Sequence, residues 1–99
     1  ITGGGLIENL ERAVPKSLSI NLDLGKIKIL PIFKWLKNKN ISSMEMLKTF
    51  NCGVGFCLVV QKSKVNKIKK FFSNKYLPYE IGNISHSKNK INLVNSIKW

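Results

Sequence analysis

The stretch Leu18–Leu24, LSINLDL, decides the fold. Leu18, Ile20, Leu22 and Leu24 alternate strictly with Ser19, Asn21 and Asp23, which predicts a strand with one buried face and one polar face. A strand that is dry on one side needs a layer to lie against, and the flanking sequence supplies helices. On the N-terminal side, Leu6, Ile7, Leu10 and Val14 fall at helical spacing and stop at Pro15. On the C-terminal side Gly25 ends the strand and KIKIL reads as a further short extended piece. Pro31 then opens PIFKWLKNK as a helix presenting Ile32, Phe33 and Leu36. Ser42 and Glu45 form an S-x-x-E capping box for the next helix, which carries Met44, Leu47 and Phe50.

Beyond it the apolar run Val54–Val60 predicts a central strand covered on both faces. KVNKIKKFF follows as an amphipathic helix on a sheet, with Val65, Ile68, Phe71 and Phe72 on one side and Lys64, Lys67 and Lys70 on the other. After Pro78, YEIGNI and INLVNSI read as two closing strands joined by the polar loop SHSKNK. The order is helix, strand, two helices, strand, helix, strand, strand. It predicts an α+β domain with helices layered on a mixed, mostly antiparallel sheet, related to ferredoxin-like topologies. No repeat, low-complexity tract or linker divides the 99 residues, so one domain is expected.

Seventeen basic against five acidic residues give a net charge of +12. Taken alone, that points to nucleic acid or an anionic surface. Its make-up points elsewhere: all the basic residues but Arg12 are lysines, scattered from Lys16 to Lys98, whereas phosphate forks and base edges favour guanidinium. A solvated lysine-rich surface is therefore expected, without a nucleic-acid partner. Cys52 and Cys57 sit in one apolar run, too far apart along a strand to bridge, and are expected to be reduced packing residues. His86, the sole histidine, stands in a polar loop, so neither a metal cluster nor a histidine role is expected. No segment approaches the roughly 20 apolar residues of a membrane span, and no basic-then-apolar leader opens the chain, which predicts a cytoplasmic setting.

Two stretches are not explained by core building. Gly3, Gly4 and Gly5 run directly into the first helix. Bare amides beside a helix start suit a phosphate or carboxylate; the same glycines also suit a plain turn. In TFNCGVGF, Gly53 suits a helix stop, whereas Gly55 lies inside the apolar run, where glycine implies the close approach of a ligand or of another backbone.

The blocks ITGGGLIENLER (1–12), PIFKWL (31–36), SSMEMLKTFNCGVGFCLVV (42–60) and YEIGNI (79–84), in that order, resemble the C-terminal part of the aminoimidazole ribonucleotide synthetase family, the phosphoribosylformylglycinamidine cyclo-ligases. The resemblance covers nearly the whole chain. It implies a step of purine biosynthesis in which ATP, with Mg²⁺, activates the formyl oxygen of formylglycinamidine ribonucleotide and an amidine nitrogen closes the imidazole ring. In the family, an N-terminal domain supplies most of the ATP site and the C-terminal domain closes the cleft. Thr2, Gly3, Gly4 and Gly5 match the family's glycine loop, implied to hold a substrate phosphate or a phosphoryl oxygen. Asn9 and Arg12 match the helix that follows, Arg12 serving either as an anion fork or in a surface ion pair. Asn51, Gly53 and Gly55 match the second motif and would let backbone come near the substrate. Phe33 and Trp35 match an apolar block expected in the core. The family usually has histidine immediately before the position of Ile1, proline at Glu11 and often glutamate at Asn83, so any role at position 83 is in doubt.

On this reading the chain is a single partial domain, residues 1–99, lacking the ATP-binding domain and the first part of its own. It would not catalyse alone, and its open strand edges would pair with another copy to give a dimer or larger species. The competing readings are a free-standing basic module that binds nucleic acid and a scaffold that has kept the fold without the chemistry.

Overall fold

A computed structural model describes residues 1–99. LSINLDL forms strand β1, Ser19–Asp23, and β1 is the middle strand of the sheet. Strand β2, Gly82–Ser85, pairs antiparallel on one side of it, with Ile20 opposite Ile84; strand β3, Ile91–Val94, pairs parallel on the other, with Leu22 opposite Leu93. The two closing strands thus flank β1 instead of pairing with each other, and the sheet is mixed, in the order β2-β1-β3.

The alternation in β1 does what its period requires. Ile20 and Leu22 are buried and pack in one cluster with Leu6, Leu10 and Val14 of the first helical segment and Met46 and Leu47 of a later one. The opposite face is paved with amides. Asn21 Nδ2 donates to Asn83 Oδ1 at 2.8 Å and to Ser85 Oγ at 2.8 Å, and Asn92 Nδ2 donates to Asn21 Oδ1 at 2.9 Å. Asn83 therefore belongs to a ladder across three strands. Buried Ser19 is satisfied by a reciprocal pair with Ser87, its Oγ accepting from Ser87 N and donating to Ser87 O, each at 3.0 Å.

Four helices accompany the sheet: α1 (Gly5–Ala13), α2 (Pro31–Lys37), α3 (Ser43–Thr49) and α4 (Val65–Lys69). The capping box forms at its donor side, with Glu45 N donating to Ser42 Oγ at 3.1 Å. Lys90, at the entry to β3, donates its Nζ to the carbonyls of Val14, Pro15 and Leu18 at 2.8, 2.7 and 3.1 Å, tying the α1–β1 connection to the sheet edge. Helix α2 buries only part of one side. Phe33 and Leu36 are half-buried, whereas Ile32 and Trp35 point outward; Trp35 is 56% exposed beneath Lys39, so it is no core residue. On α3, Met46 takes the buried place expected for Met44.

The largest departure is the apolar run. Val54–Val60 forms no strand: it continues from a turn at Cys52 and Gly53 without a ladder partner. Val54 is buried, but Phe56 is 79% exposed and Leu58, Val59 and Val60 face solvent. A run that is apolar on both faces requires cover on both. Both edges of β1 are already taken by β2 and β3, and the run does not ladder onto the outer edge of either. The expected helix after it suffers the same way. Helix α4 is five residues long, no sheet lies beneath it, and Phe71 is 81% exposed.

Burial of this kind predicts a sharp contrast in urea melts. Leu22→Ala is expected to cost about 2–5 kcal/mol, as for other cavity-forming core truncations. Phe56→Ser is expected to change stability by no more than about 0.5 kcal/mol; a large loss at Phe56 would show that the run is covered in solution.

Candidate functional site

The glycine run makes its turn with backbone that only glycine adopts comfortably: Gly4 has φ +91° and Gly5 φ +63°. At Gly5 the reason is contact as well as torsion. A Cβ there would drive into the backbone of Leu47 and Lys48, so α1 starts directly against α3. That approach places the chain before α1 beside the chain after α3.

Asn51 organises the second motif. Its Oδ1 accepts from Gly53 N at 2.9 Å and its carbonyl from Val54 N at 2.9 Å, a side-chain-stabilised turn. Cys52 sits in this turn at φ +54°, buried, with its Sγ donating to Met46 O at 3.6 Å. Gly53, at φ +104°, packs against the Lys28 carbonyl and leaves no room for a Cβ. Gly55 O accepts from the Ile1 nitrogen at 2.6 Å, which ties the start of the first motif to the end of the second.

Between them lies a cavity of about 250 Å³ lined by Ile1, Thr2, Gly3, Phe33, Thr49, Phe50 and Asn51. Thr2, Gly3 and Asn51, singled out in the sequence, meet in its wall. Gly4 and Gly5 stand behind it, forming the turn and the α1–α3 contact. Gly53 shapes the turn from the far side, and around Gly55 a Cβ would meet open space, so the backbone that does approach Gly55, the Ile1 nitrogen on its carbonyl, is not what requires a glycine there. Thr49, Phe50 and Phe33 were not read as site residues. Thr49 and Phe50 adjoin Asn51 in the TFN motif, which was their available signal; Phe33 looked like core and does stack on Phe50, with ring centroids 6.0 Å apart.

Asn9 and Arg12 do not reach into the cavity wall; they hold the loop. Asn9 Nδ2 donates to the carbonyls of Thr2, Gly3 and Gly5 at 3.2, 3.0 and 2.7 Å. Arg12 donates to Asn9 Oδ1 at 2.9 Å and to Gly3 O at 3.5 Å, and faces Glu8 at 3.9 Å in an exposed pair that is worth little by itself. No three carboxylate, histidine or cysteine side chains gather where a metal would be held. Both cysteines are free.

The α+β domain thus brings a glycine loop at a helix start and an asparagine-glycine turn to the wall of one cavity. The chain matches the family described as AIR synthase related protein, C-terminal domain, over residues 1–93, and it belongs to that family. It is 48% identical over 90 residues to the bifunctional purine biosynthetic protein purD of Dictyostelium discoideum, an alignment covering 89% of this chain and 11% of that protein. It is 42% identical over 91 residues to the phosphoribosylformylglycinamidine cyclo-ligase of Prochlorococcus marinus (strain NATL2A), covering 90% of this chain and 26% of the relative. A 71-residue alignment at 48% identity links it to the trifunctional purine biosynthetic protein adenosine-3 of Chironomus tentans, covering 71% of this chain and 5% of that one. The chain thus spans about a quarter or less of each of these relatives. None of its helices is long and apolar enough to cross a membrane.

Burial pushes the Cys52 thiol up from 9.0 to about 11. The folded state therefore keeps the proton that the unfolded chain releases near pH 9. The stability so contributed is fully present below that pH and is lost as the pH rises toward 11. The stability difference between wild type and Cys52→Ala is expected to shrink across that window in parallel urea melts. Iodoacetamide at pH 8 should label Cys52 no faster than the chain unfolds.

Proposed function

We propose that this chain is the C-terminal part of an ATP-dependent cyclo-ligase that converts formylglycinamidine ribonucleotide to aminoimidazole ribonucleotide in cytoplasmic purine biosynthesis. The observation that carries the reading is the convergence of Thr2, Gly3 and Asn51 on one cavity, because the two motifs that match the family are far apart in sequence and adjacent in space. The cyclo-ligase at 42% identity supplies the particular reaction.

In this reading residues 1–99 are one partial domain and one wall of the cleft, and the ATP-binding domain lies outside them. ATP phosphorylates the formyl oxygen. An amidine nitrogen then attacks the formyl carbon, and the oxygen leaves as phosphate as the imidazole ring closes. The glycine loop's part is to hold an anion, either the substrate's ribose phosphate or an oxygen of the transferring group, through its peptide N–H groups, once the Glu8 carboxylate that lies against Gly4 has swung aside. Mg²⁺ would neutralise phosphate charge, as is usual in phosphoryl transfer. No three acidic, histidine or cysteine ligands gather here, and in this reading the residues that would hold the ion belong to the ATP-binding domain. A homodimer belongs to the same reading, a second copy pairing along an open sheet edge, which here is the outer edge of β2 or of β3.

The test is a chimera in which residues 1–93, those that match the family, replace the matching C-terminal segment of the Prochlorococcus marinus cyclo-ligase. We expect ATP-dependent ring closure from the chimera, a loss of about 10² or more in kcat/KM on Gly4→Val, and no turnover from residues 1–99 alone. A folded but inactive chimera would overturn the proposal, and turnover by the isolated chain would overturn its claim that the second wall is missing. Steep salt-dependent binding of the isolated chain to unrelated oligonucleotides would favour the nucleic-acid reading instead.

A further inference from the structure

We infer that Asn9 is the positioning residue of the glycine loop, its carboxamide drawing the loop carbonyls inward so that the Gly3 and Gly4 N–H groups face the opposite way. The inference rests on the anion-binding reading for its purpose, but its geometry stands apart from that reading.

The peptide bonds are all trans, so the C=O and N–H of each unit point in opposite directions. Thr2 O and Gly3 O both accept from Asn9 Nδ2, which fixes the two peptide planes that carry Gly3 N–H and Gly4 N–H and turns both donors away from Asn9. Gly5 O accepts from the same nitrogen, at the shortest of the three distances, and fixes the plane that carries Leu6 N–H. One NH₂ group with two hydrogens thus serves three acceptors, which requires a shared bond and an amide aimed with care. Arg12 supplies the aim: its guanidinium donates to Asn9 Oδ1 and to Gly3 O, so the amide can present only its nitrogen to the loop.

The choice of residue follows. Aspartate has the same shape but would set a carboxylate against three carbonyl oxygens, and leucine would leave them without a donor. Glycine pays the largest conformational entropy of any residue on ordering, and three in succession would sample many arrangements without such a clamp. If only about a tenth of molecules then hold both N–H groups in place, anion affinity falls about tenfold with no contact to the anion removed.

The test uses the 99-residue chain, with inorganic phosphate as the probe and backbone amide NMR as the readout. In wild type, the Gly3, Gly4 and Gly5 amides are expected to be as ordered as those of β1, and Gly3 and Gly4 to shift on phosphate addition. In Asn9→Asp and Asn9→Leu, with β1 and β2 shifts unchanged, loop order should be lost and about tenfold more phosphate be needed. Arg12→Met, at an exposed position, should give an intermediate loss and decides the matter if the Asn9 variants fail to fold. An equally ordered loop in the folded variants would overturn the inference. A loop that loosens in the variants, in a wild type that ignores phosphate, would uphold the clamp and remove the anion reading.

Discussion

The seating of α1 on α3 at Gly5 is the constraint on which the rest of the molecule depends. Because Gly5 has no side chain, the first turn of α1 lies against the Leu47 and Lys48 backbone, and the segments flanking these helices are brought to one place. Everything at the site inherits that placement: Thr2 and Gly3 arrive from before α1, Phe50 and Asn51 from after α3, and the Ile1–Gly55 bond closes the far side. The sheet fixes α1 from below through Leu6, Leu10 and Val14 against Ile20 and Leu22. Site and core are therefore one packing arrangement, built on the same helix pair.

Much of this was legible in LSINLDL and its neighbours, because the relevant signals are local. The alternation in β1, the Ser42 cap, the stop at Pro15 and the polar loop SHSKNK each depend on a few residues, and the structure contains each of them. The α+β class followed from their order. What was not legible depends on partners. Val54–Val60 has every intrinsic feature of a central strand, yet a strand is defined by a neighbour's hydrogen bonds, and nothing in its own composition says whether that neighbour is present. The same gap misplaced α4 and its apolar side. Trp35 is a smaller case: the resemblance carried it into the core as part of an apolar block, although Phe33 and Leu36 share a helix face that Trp35 does not.

At the site, residue types were easier to find than residue tasks. The glycines and Asn51 stand out because their backbone requirements restrict the choice of residue. Asn9 and Arg12 stand out as polar residues near a glycine loop, and from sequence both look like ligand contacts. Their atoms are instead spent on the loop and on each other, a division of labour that becomes visible only when donors and acceptors are paired. Thr49 and Phe50 reach the cavity through α3's orientation, a tertiary fact that the motif alone does not encode.

The unpaired apolar run has a consequence for how the chain keeps company with itself. Between Met46 and Tyr79 there is no acidic residue, while Lys48, Lys62, Lys64, Lys67, Lys69, Lys70 and Lys75 share that stretch of sequence with the exposed Phe56, Leu58 and Phe71. Like charges beside a bare edge act as gatekeepers, holding two such edges apart by repulsion that reaches about 10 Å at 0.1 M salt and about 3 Å at 1 M. Salt therefore removes the guard from a surface whose apolar attraction it leaves intact.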